Sequence, residues 1–476
     1  MHRIALCLCV ASIVGCGPDA VDVDAAVLLD AALLDAPSIV DAGPGSDAGT
    51  APARLALAVP CELAPEEIYA ASPDLSGPAL DARGDVLRCA YDRWIPPSEL
   101  ASRLAAVGIT DVEPTTGAHL LRIAFQTTRS GDRAAVSSAR VLVPETLRES
   151  PSPMLVAAHG TAGLADVCAP SRIETASDAL TLPWAARGWP IIAPDYAGLG
   201  TEGTQGYGDN EDTARSQLDA ARALRALLPE ATLSDTIVMT GHSQGGGVVL
   251  SAQALERTYG AGGDLALVIP FAPGWPISRD VTGYRFPGVP TTFNGGAPAA
   301  IASLFLQAWH AGQLGEERRG EGFASPVRAS MVEAIERECV FELAGSIPTI
   351  APTFGDLVDE TLRTGLISCA EGGACTGTAS TLWAWMESNI LHGDPAGAPV
   401  LVYAGTADTL ATPADVSCIV DHLRGDGVVP SVCVDDSTHF DIVARGARHA
   451  IDSAEALLSS APAPSCPTAA TLPACR

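Results

Sequence analysis

The sequence predicts an α/β protein in which a mostly parallel central sheet is flanked by helices and carries a large cap insertion. Three observations support this fold class. Short apolar segments that suit buried strands alternate with segments of helical periodicity. This alternation breaks after about residue 273 and resumes at residue 399. A chain of 476 residues is long enough to form one large domain of this kind.

The predicted elements follow from these patterns in chain order. Residues 119–143 alternate between apolar and polar side chains around a Ser-Gly-Asp turn, which predicts a β-hairpin. A helix is expected over about 212–228, and the Gly- and Pro-rich residues of about 274–395 are expected to form the cap insertion, with a helix candidate at 299–309. Strands buried on both faces are expected at residues 154–158, 190–193, 236–239, 265–271, 399–403 and 431–434.

The N-terminal residues have the features of an export signal. A short basic start precedes the apolar residues 4–14, and Ile13-Val14-Gly15-Cys16 resembles the lipobox of bacterial lipoproteins. We therefore expect residues 1–15 to be a signal peptide, and Cys16 to carry a lipid that brings the protein into contact with the outer membrane or the cell surface. The alternative is an ordinary signal peptide and a secreted protein.

The next segment is expected to be an acidic tether over residues 16–53. It contains seven Asp and no aromatic residue between Gly17 and Ala53, so it has little surface to bury and its charges repel one another. Residues 54–476 are then the expected folded domain.

The charge composition excludes several functions. All 28 basic residues are Arg, so a P-loop Lys, a Schiff-base Lys and a Ser–Lys dyad are absent. The 56 acidic residues give a net charge of −28, which argues against a nucleic-acid partner. No apolar run beyond the leader approaches the roughly 20 residues of a membrane-spanning helix, so no integral membrane protein is expected.

The cysteine count predicts disulfides. Three of the 13 cysteines lie in the leader or at the lipid site, and an even number remains, as is typical of exported chains. Zinc is the alternative, but neither CxxC nor HExxH spacing occurs, so we expect neither a metal nor another cofactor. Proximity in the chain favours the pairs Cys61–Cys89, Cys369–Cys375, Cys418–Cys433 and Cys466–Cys475, with Cys168–Cys339 left as a long-range bridge.

A candidate nucleophile lies in the segment Gly241-His242-Ser243-Gln244-Gly245. This G-x-S-x-G pattern follows the predicted strand at 236–239 and precedes an Ala-, Val- and Leu-rich helix expected from about Gly247. Strand, sharp turn and helix are the context of a nucleophile elbow, in which the Ser hydroxyl is exposed at the tip. The alternative is a Gly-rich turn with a surface Ser.

A base and an acid are expected after the nucleophile in the chain. His439 follows the predicted strand 431–434, whereas the other four histidines after Ser243 lie in helical patterns or in the insertion: His310, His392, His422 and His449. Asp408 follows the strand 399–403, at the sheet edge where α/β active sites form. Asp435 and Asp436 are rivals for the acid because they precede His439 closely.

Two backbone amides are expected to form an oxyanion hole. One belongs to Gln244, directly after the nucleophile, and the other to the loop His159-Gly160-Thr161-Ala162-Gly163 after the strand 154–158. Thr161 is the preferred donor and Ala162 the second choice. His159 precedes Ser243 and is expected to have a structural function.

Several motifs in one order resemble the secretory lipases of the Candida antarctica lipase A type, within the α/β-hydrolase superfamily. They are His159-Gly-Thr, Cys168-Ala-Pro, the segments 194–201 and 389–395, the Gly241 elbow and Gly405-Thr-Ala-Asp408. The resemblance spans roughly 110–450. It implies a serine ester hydrolase without a metal, a triad of Ser243, Asp408 and His439, and a cap that contributes the acyl-chain site.

The sequence therefore predicts a serine carboxylic ester hydrolase that acts through an acyl-enzyme on acylglycerols or other carboxylic esters. Two alternatives stay open at this point. One is a serine peptidase of the same fold, and the other is a lipoprotein that keeps the fold as a non-catalytic scaffold.

Overall fold

The computed structural model describes residues 55–72, 79–276, 296–466, 468 and 470–475. The predicted signal peptide, the predicted lipid site at Cys16 and the predicted tether lie outside the described residues, and so do residues 277–295 of the predicted cap insertion.

Nine strands form one sheet in the order β1-β2-β3-β5-β4-β6-β7-β8-β9. The pairs β1–β2, β2–β3 and β3–β5 are antiparallel. All later neighbours in this order, from β5–β4 to β8–β9, are parallel. The predicted hairpin is confirmed as β2 and β3, and each predicted parallel strand is present. The strands are β1 Val86–Ile95, β2 Ala118–Arg129, β3 Arg133–Pro144, β4 Ser152–Ala158, β5 Ile191–Pro194, β6 Leu233–His242, β7 Asp264–Phe271, β8 Leu401–Gly405 and β9 Ser431–Asp435.

Twelve α-helices lie among the described residues. They are α1 Pro97–Ala106, α2 Asp178–Ala186, α3 Asn210–Leu227, α4 Gln244–Tyr259, α5 Ala297–Leu314, α6 Arg328–Ile335, α7 Val340–Ile350, α8 Phe354–Leu357, α9 Glu360–Ala370, α10 Gly377–Ser388, α11 Pro413–Gly425 and α12 Ile442–Leu458. The predicted helix at 212–228 is α3, and the helix candidate at 299–309 is part of α5.

Helices cover both faces of the sheet. Alternate side chains of a strand point to opposite faces, so Met154 and Val156 of β4 pack with α3, α4 and α11, whereas Leu155 and Ala157 pack with α1, α2 and α12. This double burial explains why the parallel strands are continuous apolar runs.

The chain between β7 and β8, called the insertion below, forms the helices α5 to α10. These helices bury a separate apolar cluster that includes Phe305, Leu343 and Leu382. Two links connect the insertion to the loop after β4: the disulfide Cys168–Cys339, and a hydrogen bond of 2.9 Å from the amide of Val340 to the carbonyl oxygen of Ala162.

Five disulfides join the ten cysteines of the described residues. The pairs Cys61–Cys89, Cys168–Cys339 and Cys369–Cys375 are confirmed. Two predicted pairs, Cys418–Cys433 and Cys466–Cys475, are wrong, because the bridges are Cys418–Cys475 and Cys433–Cys466.

The sheet separates the wrongly paired cysteines. Cys418 of α11 packs on the α3 and α4 face, whereas Cys433 of β9 points to the opposite face. The C-terminal residues after α12 return along β9, which brings Cys466 to Cys433 and Cys475 to Cys418.

Disulfides of this number fit an exported protein. Among the described helices, none has the length and apolar character needed to span a membrane.

Candidate active site

Ser243 occupies a sharp turn between β6 and α4. Its φ of 55° and ψ of −117° lie in a strained region for a residue with a side chain. The backbone of Phe271 accepts a hydrogen bond of 3.0 Å from the amide of Ser243, and the amide of Gly274 donates one of 2.9 Å to its carbonyl oxygen. These bonds hold the strained backbone in place. The helix begins at Gln244, directly after the turn and earlier than the predicted start near Gly247.

The two flanking glycines are required by close packing. A Cβ atom at Gly245 would lie 2.0 Å from the carbonyl oxygen of Ala158, and one at Gly241 would lie 2.1 Å from the carbonyl oxygen of Gly245. Any side chain at either position would separate β6, α4 and the end of β4. The G-x-S-x-G spacing therefore has a steric cause here.

Three predicted residues from three chain segments form a hydrogen-bonded row. Nε2 of His439 lies 2.9 Å from Oγ of Ser243, and Nδ1 of His439 lies 2.8 Å from Oδ2 of Asp408. Asp408 follows β8 and His439 follows β9, so the carboxyl ends of neighbouring parallel strands position both. The side chains of Asp408 and His439 are buried, which shields the row from water.

Asp408 is fixed by its own loop. Its second oxygen, Oδ1, accepts hydrogen bonds of 2.8 Å and 2.9 Å from the amides of Leu410 and Ala411. The two rival acids interact with other groups. Asp435 accepts a hydrogen bond of 3.0 Å from the amide of Ser437, and the exposed Asp436 pairs with Arg445.

One residue that no sequence pattern indicated supports the position of His439. Nε2 of His242 donates a hydrogen bond of 2.8 Å to the carbonyl oxygen of His439. Burial, reinforced by the nearby His439, lowers the pKa of His242 to about 3, so this ring stays neutral. His242 is the variable residue between Gly241 and Ser243 in the motif, and only the tertiary contact reveals its function.

The predicted oxyanion loop lies beside Ser243. A Cβ atom at Gly160 would be 3.6 Å from Cβ of Ser243. Within the described residues, the amide of Thr161 has no protein acceptor, and the amide of Gln244 belongs to the first helical turn, where the N–H groups have no partner in the helix. Both amides are therefore free to bind a ligand.

His159 is the first residue of this loop, and its ring contacts two backbone carbonyl oxygens. Its Nδ1 lies 2.6 Å from the carbonyl oxygen of Gly160, and its Nε2 lies 3.2 Å from that of Asp195. Burial lowers the pKa of His159, and a neutral ring can donate from only one nitrogen. The shorter contact assigns the donated hydrogen to Gly160, which agrees with the predicted structural function.

The other candidate histidines lie outside this row. Nδ1 of His310 donates a hydrogen bond of 2.7 Å to the carbonyl oxygen of Leu306 within α5, and Nδ1 of His449 lies 2.6 Å from the hydroxyl of Tyr403. The remaining two, His392 and His422, lie near each other at the end of the insertion.

An apolar surface borders the row on the side of the insertion. Phe440 follows His439 directly, and its ring centroid lies 6.0 Å from that of Phe341 in α7. Both rings are exposed, at 44% and 42%. Exposed aromatic side chains that lie together are typical of binding surfaces for apolar groups.

The sheet and the elbow have the architecture of the α/β-hydrolase fold: a mostly parallel sheet with helices on both faces and a strand–turn–helix that presents a serine at its carboxyl edge. No model of a known protein family matches the sequence, and no curated protein does.

Solved structures with the same fold were found. The esterase LipA from Xanthomonas oryzae, described as degrading rice cell walls, superposes with a TM-score of 0.62 at 17% identity, covering 79% of this chain and 97% of that chain. A putative hydrolase from Legionella pneumophila gives 0.61 at 18% identity, covering 78% and 98%. Candida antarctica lipase A in its closed state gives 0.59 at 14% identity, covering 84% and 87%. The predicted resemblance to the lipase A type is thus confirmed at the level of the fold.

Proposed function

We propose that the protein is a serine carboxylic ester hydrolase. The observation that supports this most directly is the continuous hydrogen-bonded row from Ser243 through His439 to Asp408. A serine hydroxyl becomes an effective nucleophile only when a positioned base can remove its proton. The structural neighbours include proteins described as an esterase and a lipase, which agrees with ester substrates.

In the proposed reaction, Oγ of Ser243 attacks the ester carbonyl carbon while Nε2 of His439 takes the hydroxyl proton. His439 then gives that proton to the departing alcohol, and an acyl-enzyme remains on Ser243. A water molecule, deprotonated by the same nitrogen, releases the carboxylic acid and restores the serine. Asp408 holds the tautomer with hydrogen on Nδ1 and stabilises the imidazolium that forms in each half-reaction.

The amides of Gln244 and Thr161 are the proposed donors to the oxyanion. The donors must point at the oxygen that becomes negative, because this charge exists only in the transition state and the intermediate. The hydrogen bond from His159 to the carbonyl oxygen of Gly160 supports the choice of Thr161. The C=O and N–H groups of one peptide point in opposite directions. Holding the carbonyl towards His159 therefore turns the amide of Thr161 away from that ring.

The insertion is proposed to act as the cap that binds the acyl group, with the domain running over residues 54–476 and the cap over about 274–395. Two features support this assignment. The link between Val340 and Ala162 places the start of α7 beside the oxyanion loop, and Phe341 brings an exposed apolar ring to Phe440, next to the base. Such a surface fits the acyl groups of acylglycerols and of simpler carboxylic esters alike.

A lipid anchor at Cys16 and outer-membrane or surface location are proposed from the lipobox-like sequence alone. The Cys16→Ser variant should lose both incorporation of labelled palmitate and recovery in the membrane fraction. If the variant incorporates as much labelled palmitate as the native chain does, the lipid anchor at Cys16 is contradicted. The remaining expectation is then a secreted protein.

The activity is tested by a series of p-nitrophenyl esters from acetate to palmitate, together with aminoacyl p-nitroanilides. The expected result is ester hydrolysis that disappears in Ser243→Ala and far exceeds anilide hydrolysis. A maximum at octanoate or longer esters indicates a lipase, and activity confined to acetate and butyrate indicates an esterase. Faster release of amine than of phenol would favour a peptidase, and no turnover of any ester would favour a scaffold. Either result contradicts the proposal.

A further inference from the structure

Two histidines and one carboxylate meet at a point outside the candidate active site. His392 lies in the segment that follows α10, His422 lies in α11, and Asp426 is the residue after α11. One potential ligand atom from each of the three lies within 4.8 Å of the other two. Among the described residues, this is the only group of three such side chains that meets this distance.

The spacing of the three groups suits a small divalent cation. Nδ1 of His392 lies 2.8 Å from Oδ1 of Asp426, and Nε2 of His422 lies 3.4 Å from Oδ2. Zinc bound at about 2.0–2.1 Å in tetrahedral geometry separates its nitrogen and oxygen ligands by roughly 3.4 Å. The three ligand atoms lie within 4.8 Å of one another, so binding would draw them closer together and leave a fourth position open to water.

The ligand types favour zinc or a related transition metal. Imidazole nitrogens select zinc, copper and nickel over calcium and magnesium, which prefer oxygen. Asp426 supplies the one negative charge and is already oriented, because the amide of Gly393 donates a hydrogen bond of 2.8 Å to its Oδ2. Such a bond to a ligating carboxylate is typical of the groups that surround metal sites.

The hydrogen bonds seen in the structure allow metal binding if both histidine rings change tautomer. Nε2 of His422 donates 2.9 Å to the carbonyl oxygen of Leu391, and Nδ1 of His392 donates to Asp426. A metal would take both nitrogens as lone-pair donors, and the hydrogen of each neutral ring would move to its other nitrogen. The two histidine rings together would therefore lose no proton when the metal binds.

The location gives such a site a structural consequence. His392 lies where the chain returns from the insertion, and the ring of His422 contacts the ring of Trp275, with centroids 5.5 Å apart, where the insertion begins. Trp275 follows Gly274, whose amide holds the carbonyl oxygen of Ser243. A cation here would tie the end of the insertion to α11, directly beside its beginning.

We propose that His392, His422 and Asp426 bind one zinc or related divalent transition-metal ion and thereby fasten the base of the insertion to α11. The site is separate from the row of Ser243, His439 and Asp408. Its occupancy should therefore change the stability of the junction more than the chemistry at the serine.

The test uses the full chain without a polyhistidine tag, freed of metal by chelation and titrated with zinc chloride in a calorimeter. The expected result is one zinc ion per chain with micromolar or tighter affinity, a rise in Tm with zinc, and weakening of at least tenfold in His392→Ala and Asp426→Asn. His392 is 70% exposed in its side chain, so its replacement should leave the fold intact.

Asp421→Asn is the matched control, since it removes one negative charge from the same helix at a side chain that pairs only with Arg424 at 3.2 Å in the described structure. This variant should bind zinc as the native chain does. Substitution with cobalt should add visible absorption of tetrahedral type that His392→Ala loses. Absence of one-to-one binding, or zinc affinity in His392→Ala and Asp426→Asn equal to that of the native chain, would overturn the proposal.

Discussion

Two members of the hydrogen-bonded row, Asp408 and His439, are held in place by neighbouring groups. Asp408 is oriented by the amides of Leu410 and Ala411, and the backbone of His439 is held by His242. A triad works only when the base already has the correct tautomer and direction before the substrate arrives. These supporting contacts therefore belong to the proposed mechanism as much as the row does.

Replacement of Asp408 by Asn tests the orientation of the base. The amide oxygen of Asn can accept both loop hydrogen bonds, which in the native chain go to Oδ1 of Asp408. Its NH2 group then faces Nδ1 of His439 and cannot stabilise an imidazolium, so we expect kcat for ester hydrolysis to fall by about 10³–10⁴ while the fold is kept. The measurement is steady-state kinetics with circular dichroism on both proteins. Asp436→Asn is the control, because Asp436 is exposed and pairs with Arg445. A large loss in that variant and a small loss in Asp408→Asn would reverse the assignment.

At this scale the sequence predicted the row but not its supports. Ser243, Asp408 and His439 each follow a predicted strand, and the carboxyl ends of parallel strands share one edge, so their proximity could be inferred. The contact between His242 and His439 joins residues almost two hundred positions apart. No local pattern indicates that contact, because it depends on where two loops meet.

At the scale of elements, the elbow depends on the close packing of α4 against the end of β4. The first turn of α4 lies so near Ala158 that only a hydrogen atom fits at Gly245. Glycine in a helix normally costs about 1 kcal/mol relative to alanine. The chain accepts that cost because it gains the close approach that presents Ser243.

A pair of glycine replacements in helices separates packing from propensity. In Gly245→Ala the new methyl group would lie 2.0 Å from the carbonyl oxygen of Ala158, so we expect a large loss of stability or of soluble protein, with loss of activity. In Gly312→Ala of α5 the new methyl group meets no described atom within 4 Å apart from the helix's own backbone and the adjacent residues, so stability should rise by about 0.5–1 kcal/mol. Thermal unfolding measures both. Similar behaviour of the two variants would contradict the steric account.

The sequence predicted elements well where their pattern is regular. Strand β1 was not predicted, and the structure gives a reason: its register against β2 shifts twice, between Val86 and Arg88 and between Tyr91 and Arg93. Each irregularity interrupts the two-residue alternation that identifies a strand. The two wrong disulfides have a different cause, because proximity in the chain does not tell which face of the sheet a cysteine occupies.

In the molecule as a whole, the Cys168–Cys339 bridge joins the insertion to the chain segment after β4, across 171 positions of sequence. It links the loop after β4 to the start of α7, beside the oxyanion loop. The double variant Cys168→Ala with Cys339→Ala should lose about 2–5 kcal/mol of stability, because the unfolded chain gains freedom. We also expect a lower kcat, since α7 is freed next to Thr161.

Urea denaturation and ester kinetics measure these two effects. The double variant Cys369→Ala with Cys375→Ala is the control, because that bridge spans only 6 positions within the insertion. It should cost less stability and leave kcat close to the native value. Equal losses in the two double variants would contradict the particular function assigned to the long-range bridge.

Stability should also depend on pH through a buried carboxyl beneath β2. Asp219 of α3 accepts hydrogen bonds from Thr127 and Tyr259, and burial raises its pKa to about 6. The folded carboxyl therefore binds a proton more tightly than the unfolded one, whose pKa is about 4. Its contribution to stability is fully present below about pH 4 and is lost as the pH rises through 6.

The neutral variant Asp219→Asn tests this sign. It should become more stable relative to the native chain as the pH rises from about 4 to 7, by at most about 3 kcal/mol for two pKa units. Tm measured across this range provides the comparison. Asp235→Asn, at a side chain 84% exposed, should follow the native profile. An unchanged difference between Asp219→Asn and the native chain over this range would contradict the raised pKa.

The central claim is that Ser243 is the nucleophile of an ester hydrolase, and covalent labelling tests it most directly. The native chain is treated with a p-nitrophenyl alkylphosphonate, which traps the serine as a stable analogue of the tetrahedral intermediate, and is then analysed by intact mass and peptide mapping. We expect one adduct per chain on the peptide that contains Ser243, loss of esterase activity in proportion to labelling, and no adduct in Ser243→Ala. An adduct on another residue, or full activity in a chain labelled at Ser243, would contradict the assignment of Ser243 as the nucleophile.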